Sequence, residues 1–448
     1  MAKLFGTDGI RGIANRELDC ELALKVGRAV AAAFSDDTAT PTVLMGCDTR
    51  ASSDMLCAAI TAGICSMGAD VIDLGVVPTP AVAYLTAKYN ACAGIMVSAS
   101  HNPPEFNGIK IIGAGGLKLP DEKELLIEDL ILNDAARPTT ADGFKVGKRK
   151  PAPLAIEEYI SHVLSSASCQ FNGLRVALDC ANGSACATAA RIFKQTGAEL
   201  HLLNTTPDGL NINRNCGSTH LKPLAEYVVE NGLDCGVAFD GDADRCLCID
   251  EKGNEIDGDA ILAMCALDMW ERGCLCGDTV VGTVMSNMGL GKLCKANGIG
   301  FVAAKVGDRY VLEQLLEHGY SLGGEQSGHI IFADHATTGD GQLTAVQILD
   351  LMSRKGKSLS ALASVMTRYP QTMINVTVTP EGRAKFSQDP VVKDAIDSVT
   401  QQLGDSGRIL VRASGTEPLI RVMVEGADKQ LVLSLAQSTA EIIRKQLS

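Results

Sequence analysis

Three aspartates at alternate positions form the densest group of chemically reactive side chains in the sequence. Asp240, Asp242 and Asp244 lie in the stretch VAFDGDADRCLCID, residues 237–250. Oxygen ligands at this density suit hard cations such as Mg²⁺ or Ca²⁺. Without a cation the three carboxylates would repel one another, so the pattern favours a metal site over a solvated acidic turn. We expect the aspartates to bind one Mg²⁺ and Arg245, directly after them, to contact an anion.

The residues around this aspartate loop (residues 240–245) exclude an EF-hand. Counted from Asp240, Glu251 occupies the twelfth position, as an EF-hand requires. However, Arg245 stands where that loop needs glycine, and the flanking segments CGVAF and CLCID have the character of strands rather than helices. The aspartate loop is therefore expected to join two strands.

A second candidate site follows an apolar, strand-like run in MVSASHNPPEFNGIK, residues 96–110. Two consecutive prolines cannot donate backbone hydrogen bonds and disfavour helical geometry before them, so we expect a rigid, exposed loop at a strand end. No G-x-S-x-G pattern surrounds Ser100, and in an extended chain His101 would point away from it, so a Ser-His-Asp triad is not favoured. A lone loop serine is by default a capping residue, but the adjacent His101 and Asn102 and the nearby Lys110 favour a phosphoryl site. We call residues 98–106 the serine loop.

A glycine-rich segment, GGEQSGHIIF at residues 323–332, precedes an apolar strand. Alternation along an extended chain would place Glu325, Ser327 and His329 on one side. Such a row of carboxylate, hydroxyl and imidazole groups could bind sugar hydroxyls. His329 could equally be a hydrogen-bonded histidine at a sheet edge, and the segment alone does not decide between these interpretations.

The segment RASGTEPLIR, residues 412–421, concentrates hydrogen-bond donors in a compact turn. Backbone N–H groups, hydroxyls and two planar guanidinium groups can together bind a phosphate. A plain loop between two strands is the alternative, but the density of donors favours an anion site. The residues expected to contact the anion are Arg412, Ser414, Gly415, Thr416 and Arg421. We call this segment the arginine loop.

Composition argues against nucleic-acid and membrane partners. The chain of 448 residues has 53 acidic and 40 basic residues and a net charge of −13, which disfavours a broad nucleic-acid footprint. The sequence shows neither a signal-peptide pattern nor an uncharged apolar run of about 20 residues, so we expect a cytoplasmic protein with no membrane partner. Its 16 cysteines include no C-x-x-C pair, which favours buried free thiols over zinc sites and disulfides.

Alternating strand-like and helix-like segments predict the elements that carry these loops. Three stretches share the order strand, polar loop, helix, glycine and strand, which is typical of a βαβ unit. They are residues 42–74, 175–203 and 279–304. Their repetition predicts an α/β fold with three related α/β domains and mixed, largely parallel sheets.

The last part of the chain differs from the rest. The runs TMINVTV, GRILVRASG and IRVMVEG precede one long helical segment, which predicts a smaller C-terminal α+β domain. Each predicted domain then carries one of the four motifs. The expected domains are 1–150 with the serine loop, 151–254 with the aspartate loop, 255–368 with the glycine-rich segment and 369–448 with the arginine loop.

Taken together and in this order, the motifs resemble those of the α-D-phosphohexomutase superfamily. SASHNP resembles its phosphoserine loop, DGDADR its metal loop, GEQSGH its sugar-recognition loop and RASGTEPLIR its phosphate-binding loop. FGTDGIRG at residues 5–12 extends the resemblance to the beginning of the chain. Gln326 and the stretch KVGDRYV at residues 305–311 are similar to bacterial members that act on glucosamine phosphates. Members acting on mannose or glucose phosphates usually have methionine at the position of Gln326.

The resemblance implies four domains around a central cleft and an isomerase that interconverts glucosamine 6-phosphate and glucosamine 1-phosphate. It implies that Ser100 carries a phosphoryl group, that the reaction passes through a 1,6-bisphosphate, and that Ser100 joins the three aspartates as a metal ligand. The hexosamine phosphate is then the small-molecule partner, and a homodimer is allowed. A phosphomannomutase or phosphoglucomutase, and a metal-dependent sugar phosphatase, are the alternative activities.

The same resemblance assigns roles to single residues. The residues implied in catalysis are Ser100, Arg11, His101, Lys110 and His329, with either Lys110 or His329 as the general base. The residues implied in substrate binding are Arg245, Glu325, Ser327, Arg412, Ser414, Gly415, Thr416 and Arg421.

Overall fold

The computed structural model describes residues 4–6, 9–34, 41–133, 139–414 and 419–447. They group into two compact units. The first unit lies within Met1–Met285 and Asn297–Val365, and the second within Ser286–Ala296 and Met366–Ser448. Among the described residues, no helix combines the length and the apolar character that crossing a bilayer requires.

The first sheet of the first unit has six strands in the order β1-β5-β4-β2-β3-β6. Neighbouring strands from β4 to β6 in this order are parallel, and β1 and β5 are antiparallel to their neighbours. The strands are β1 (Ile10–Ile13), β2 (Thr42–Cys47), β3 (Asp70–Val76), β4 (Ala93–Val97), β5 (Phe106–Gly113) and β6 (Arg149–Pro151). The helices of this part are α1 (Cys20–Ala33), α2 (Ser53–Ser66), α3 (Thr79–Lys88) and α4 (Asp121–Leu132).

Strand β4 is the central support of the serine loop. All of its residues are buried between β2 and β5, and each large apolar side chain buried there contributes about 1.5–3 kcal/mol. The predicted βαβ unit at residues 42–74 is confirmed, because β2 and β3 pair in parallel through α2. The serine loop thus begins at the end of a rigid, buried strand.

The second sheet has the order β11-β10-β9-β7-β8. Its strands are β7 (Arg175–Asp179), β8 (Glu199–Leu203), β9 (Cys235–Phe239), β10 (Cys246–Asp250) and β11 (Glu255–Ile256), accompanied by α5 (Ala155–Ser165), α6 (Ala189–Phe193) and α7 (Lys222–Glu230). The parallel pair of β7 and β8 confirms the unit predicted at residues 175–203. Strands β9 and β10 are antiparallel, so the aspartate loop is the connection of a hairpin, as its flanking sequences predict.

The third sheet has the order β13-β12-β14-β15, with only β15 antiparallel to its neighbour. Its strands are β12 (Thr279–Thr283), β13 (Gly300–Ala304), β14 (Leu322–Gly324) and β15 (Ile330–Phe332), and its helices are α8 (Gly258–Glu271), α10 (Asp308–His318), α11 (Gly341–Lys355) and α12 (Leu359–Ala363). Helix α9 (Met288–Ala296), which connects β12 to β13, groups with the second unit. There the N–H of Met288 donates to Glu425 over 2.9 Å, and Asn287 bonds to the backbone N–H and carbonyl of Tyr369.

The second unit is the predicted smaller α+β domain, with an antiparallel sheet of order β16-β18-β17. Its elements are β16 (Gln371–Thr377), α13 (Pro380–Lys385), α14 (Pro390–Leu403), β17 (Gly407–Ala413), β18 (Leu419–Gly426) and α15 (Lys429–Leu447). Three mixed, mostly parallel sheets followed by one antiparallel sheet, all with accompanying helices, confirm the predicted fold class. The domain boundaries near residues 150, 255 and 369 stay predictions.

All 16 cysteines are free thiols, as the sequence predicts. Most are buried or half-buried, but Cys20, Cys274 and Cys276 are exposed. The expectation of buried thiols was therefore wrong at these three positions: Cys20 begins α1, and Cys274 and Cys276 lie in the connection between α8 and β12.

Candidate active site

Ser100 lies in a sharp, buried turn rather than in an exposed loop. The residue is 1% exposed, and its backbone has φ of +53°, in the left-handed region. Because the chain turns here, His101 Nδ1 lies 3.3 Å from Ser100 Oγ. The expectation of an exposed loop was wrong for Ser98, Ala99 and Ser100, which are buried, whereas Pro103 and Glu105 are exposed. The expectation that His101 points away from Ser100 was wrong because it assumed an extended chain.

The hydroxyl of Ser100 meets the aspartate loop. Ser100 Oγ donates to Asp240 Oδ2 over 2.6 Å, although the two residues are 140 positions apart. The first and second sheets therefore bring the two loops into contact. The approach is close: a Cβ on Gly241 would lie 2.5 Å from the carbonyl oxygen of Ser100.

The three aspartates form a buried cluster that fits a divalent cation. Asp240, Asp242 and Asp244 each place a carboxylate oxygen within 4.8 Å of the others. Burial, and then the charges of Asp244 and Asp242, raise the pKa of Asp240 well above its ordinary value. Asp244 Oδ1 accepts no hydrogen bond from the described residues. An all-oxygen donor set that is crowded and desolvated in this way suits a hard divalent cation such as Mg²⁺ or Ca²⁺.

The ammonium group of Lys110 and the amino-terminal residue of α3, Thr79, contact the same carboxylates. Lys110 on β5 places Nζ 2.8 Å from Asp242 Oδ2 and 3.4 Å from Asp244 Oδ2. Thr79 donates both its N–H, to the carbonyl of Asp242, and its hydroxyl, to Asp242 Oδ2, over 3.0 and 2.6 Å. Thr79 begins α3, whose amino-terminal dipole favours a nearby negative charge. Sequence reasoning missed Thr79, because VPTP shows no pattern beyond the start of a helix.

His329 lies on the other side of Asp244. Its Nδ1 is 3.7 Å from Asp244 Oδ2, and its Nε2 accepts the backbone N–H of Gly339 over 3.0 Å. In the neutral ring the proton is therefore on Nδ1, facing Asp244. A cavity of about 60 Å³ opens beside His329, Lys110 and Asp244 and can hold part of a ligand or water.

The glycine-rich segment forms a tight turn between β14 and β15 instead of an extended row. The N–H of Glu325 donates to the carbonyl of His329, which closes the turn over 3.0 Å. The predicted alternation was wrong for this reason. The side chain of Glu325 accepts from the N–H of Gly307 over 3.0 Å, and that of Gln326 donates to Asp257 over 3.3 Å. Ser327 Oγ is buried without a hydrogen-bond partner among the described residues.

Positive charges surround His101 and the aspartate loop. Burial, and then the charges of Arg245 and Arg11, lower the pKa of His101 to about 4, so its ring is neutral near pH 7. Arg11 is on β1, opposite Gly108. Burial opposes the charge of Arg245, but the nearby carboxylates, beginning with Asp244, raise its pKa. The resulting environment favours an anion beside Ser100.

In the second unit, Arg412 and Arg421 are direct cross-strand partners on β17 and β18. Like charges placed directly opposite each other destabilise a sheet. Burial and the charge of Arg421 lower the pKa of Arg412, and Arg412 Nε has no hydrogen-bond partner among the described residues. Ser414 is buried at the end of β17, while Gly415 and Thr416 lie outside the described residues. The paired arginines thus favour a bound anion.

Comparisons with known proteins agree with this arrangement. Four family descriptions match consecutive parts of the chain, all for phosphoglucomutase/phosphomannomutase: alpha/beta/alpha domain I at residues 2–138, domain II at 157–253, domain III at 257–369 and the C-terminal domain at 373–442. Proteins named phosphoglucosamine mutase are 48% identical in Acetivibrio thermocellus and 50% identical in one strain of Clostridium botulinum, each over 448 residues and 100% of both chains.

Solved structures share the fold. A phosphoglucomutase/phosphomannomutase family protein of Burkholderia thailandensis has a TM-score of 0.85 at 25% identity, covering 99% of this chain and 97% of that chain. An Aspergillus fumigatus N-acetylphosphoglucosamine mutase, solved in complex with GlcNAc-6P and magnesium, has a TM-score of 0.68 at 18% identity, covering 99% and 96%. The second likeness concerns the fold alone.

Proposed function

We propose that this chain, which belongs to the phosphoglucomutase/phosphomannomutase family, is an isomerase that interconverts glucosamine 6-phosphate and glucosamine 1-phosphate. The observation that carries the reaction type is the buried Ser100 hydroxyl, 2.6 Å from an aspartate of a three-carboxylate cluster. The full-length identity to phosphoglucosamine mutases supports the amino sugar as substrate. The product would feed synthesis of UDP-N-acetylglucosamine in the cytoplasm.

Ser100 is the proposed carrier of the phosphoryl group. The bond between phosphorus and Ser100 Oγ breaks as a bond to O1 of glucosamine 6-phosphate forms, which yields the 1,6-bisphosphate. After the sugar turns around, its 6-phosphoryl group returns to Ser100 and leaves glucosamine 1-phosphate. Such transfers need mainly positioning and charge neutralisation, because their transition state is loose.

Asp240, Asp242, Asp244 and an oxygen on Ser100 would hold the cation, which we propose is Mg²⁺. When bound, it would neutralise charge on the phosphoryl group. Arg11, His101 and Arg245 bind and orient that group. Lys110 or His329 takes the proton of the attacking hydroxyl. For His329 this requires the tautomer with an unprotonated Nδ1, in which Nε2 no longer accepts from Gly339. Glu325 and Ser327 bind sugar hydroxyls, and the arginine loop, through Arg412, Ser414, Gly415, Thr416 and Arg421, binds the phosphate that is not reacting.

A substrate panel tests the proposed activity. Protein phosphorylated on Ser100 is assayed with glucosamine, glucose and mannose 6-phosphates, and both sugar 1-phosphate and inorganic phosphate are measured. We expect the highest kcat/KM for glucosamine 6-phosphate. A preference for glucose or mannose phosphates would replace the proposal by the phosphoglucomutase or phosphomannomutase alternative. Inorganic phosphate released in step with substrate loss would instead identify a phosphatase.

Arg421→Gln should raise the KM for the sugar phosphate by about 10- to 100-fold, since a charge-assisted hydrogen bond contributes roughly 1.5–3 kcal/mol. Arg412 would then no longer face a like charge, and the melting temperature records the net change in stability. Arg444→Gln is the control: Arg444 is exposed on α15 and pairs with Glu441. Steady-state kinetics and thermal unfolding measure both effects, and an unchanged KM in Arg421→Gln would contradict the assigned role.

A further inference from the structure

One fully buried arginine, Arg50, donates hydrogen bonds to the backbone of the serine loop. Its Nε donates to Asp48 over 2.8 Å. Its two terminal nitrogens donate to four backbone carbonyls of the serine loop: Ser100 over 3.0 Å, Asn102 over 2.8 Å, Phe106 over 2.9 Å, and Pro103. A guanidinium has five N–H donors. All five are used, and four of them go to the loop that carries Ser100.

This arrangement determines the shape of the loop. Four carbonyl dipoles that converge on one point repel one another unless a cation lies between them. The planar fork of arginine matches several acceptors at once, which the ammonium of lysine does not. Ser100 also has φ of +53°, a conformation that non-glycine residues adopt only when their surroundings impose it.

Asp48 and Asn213 complete the support. Asp48 accepts hydrogen bonds from the hydroxyls of Ser98 and Ser53 over 2.6 and 3.0 Å, in addition to Arg50. From the side of the second sheet, Asn213 Nδ2 donates to the carbonyl of Ser100 over 2.9 Å and to that of Asn102 over 3.2 Å. The carbonyl of Ser100 is therefore fixed by two donors from different parts of the chain.

We propose that Arg50 is a positioning residue for phosphoryl transfer: by binding these four carbonyls it keeps Ser100 Oγ in contact with Asp240. This inference rests on the proposed function of Ser100 as phosphoryl carrier. Arg50 touches no reacting atom and acts through the backbone of the loop. A displacement of about 1 Å at a reacting atom can cost about 100-fold in rate.

The test is the variant Arg50→Lys. Lysine keeps the positive charge, but it has three N–H donors instead of five and lacks the planar geometry of the guanidinium group. We expect kcat per folded molecule to fall about 100-fold, with KM changed less than about threefold, since the sugar-binding residues are untouched. Phosphorylation of Ser100 by glucose 1,6-bisphosphate, followed by intact mass, should slow by a similar factor. This half-reaction does not require that the preferred substrate be an amino sugar.

The matched control is Arg354→Lys. Arg354 also donates to aspartates, Asp268 and Asp350, but it lies on α11 and contacts no residue of the serine loop. Both variants should lose thermal stability, and only Arg50→Lys should lose kcat. If the kcat of Arg50→Lys stays within threefold of wild type, or if Arg354→Lys loses as much, the role of Arg50 is purely structural and the proposal fails.

A second variant covers the case in which Arg50→Lys does not fold. Asn213→Gly removes the other donor to the carbonyl of Ser100 while tolerating the left-handed backbone of that position, φ +59°. We expect about a tenfold loss of kcat with unchanged KM, because the bonds to the carbonyls of Ser100 and Asn102 are both lost. Unchanged kcat in a folded Asn213→Gly would overturn the proposal. Failure of the wild type to isomerise glucosamine phosphates while Ser100 is still phosphorylated would overturn the proposed substrate alone.

Discussion

Ser100→Ala should lower isomerisation of the sugar phosphate by about 10³-fold or more, because a covalent carrier that loses its nucleophilic oxygen has no second route. Fold and melting temperature should change little. The methyl group fits the same buried space, and only the hydroxyl's contacts with Asp240 Oδ2 and His101 Nδ1 are lost. Coupled assays of sugar 1-phosphate and thermal unfolding measure the two effects.

A matched serine separates the carrier role from a packing effect. Ser184 is also fully buried in the first unit, and its Oγ has no hydrogen-bond partner among the described residues. Ser184→Ala should therefore retain wild-type turnover. Active wild-type protein should contain chains heavier by one phosphate, mapped to the peptide with Ser100, and Ser100→Ala should contain none. Normal turnover by Ser100→Ala, or full activity of wild type that never carries phosphate, would refute the carrier role.

Removing the divalent cation should lower turnover about as strongly as Ser100→Ala does. A chelator should stop turnover, and added Mg²⁺ should restore it, since neutralising the phosphoryl charge is worth several kcal/mol. Asp240→Asn should lower turnover by about 10³-fold even with Mg²⁺ present. Each 1.36 kcal/mol of lost stabilisation corresponds to a factor of ten.

The stability of Asp240→Asn distinguishes a metal ligand from a structural aspartate. Burial and two neighbouring carboxylates already raise the pKa of Asp240, so asparagine removes a repulsive charge while its oxygen still accepts from Ser100. The metal-free variant should be as stable as wild type or more so. Mg²⁺ at about 100 times its Kd should stabilise wild type by about 2.7 kcal/mol and the variant far less.

The control for this experiment is Asp250→Asn. Asp250 is buried at the end of β10 and accepts hydrogen bonds from Lys252 and Asn254. Mg²⁺ should stabilise the Asp250→Asn variant by as much as it stabilises wild type, whatever the stability of the variant without the ion. Equal Mg²⁺ stabilisation of Asp240→Asn and wild type, or turnover above a tenth of wild type in Asp240→Asn, would contradict the metal site.

Several features of the site could be predicted from the sequence because they depend on neighbouring residues. The aspartate loop between two strands follows from alternating carboxylates with apolar flanks, and β9 and β10 flank it as expected. The pairing of Arg412 with Arg421 can be predicted because the two residues lie on the strand-like segments that the arginine loop connects. Residue types and local spacing determine such features directly.

Local patterns failed where the backbone leaves its regular geometry. The left-handed φ of Ser100 brings His101 to it, and the closed turn from Glu325 to His329 replaces the expected extended row. Neither can be read from periodicity, since both depend on contacts with other parts of the chain. Arg50 illustrates this most clearly: its neighbours in CDTR indicate only a loop after a strand.

Residue types and short-range spacing therefore identify the reactive groups, the alternation of strands and helices and the family resemblance. Which of the reactive groups meet depends on the tertiary structure. The contact of Ser100 with Asp240 across 140 positions and that of Thr79 with Asp242 require the first two sheets to lie against each other. The convergence of four carbonyls on Arg50 requires β2 and β4 to lie side by side in one sheet. A hydrogen bond requires a short distance and a suitable angle between donor and acceptor, and the number of residues between two groups determines neither.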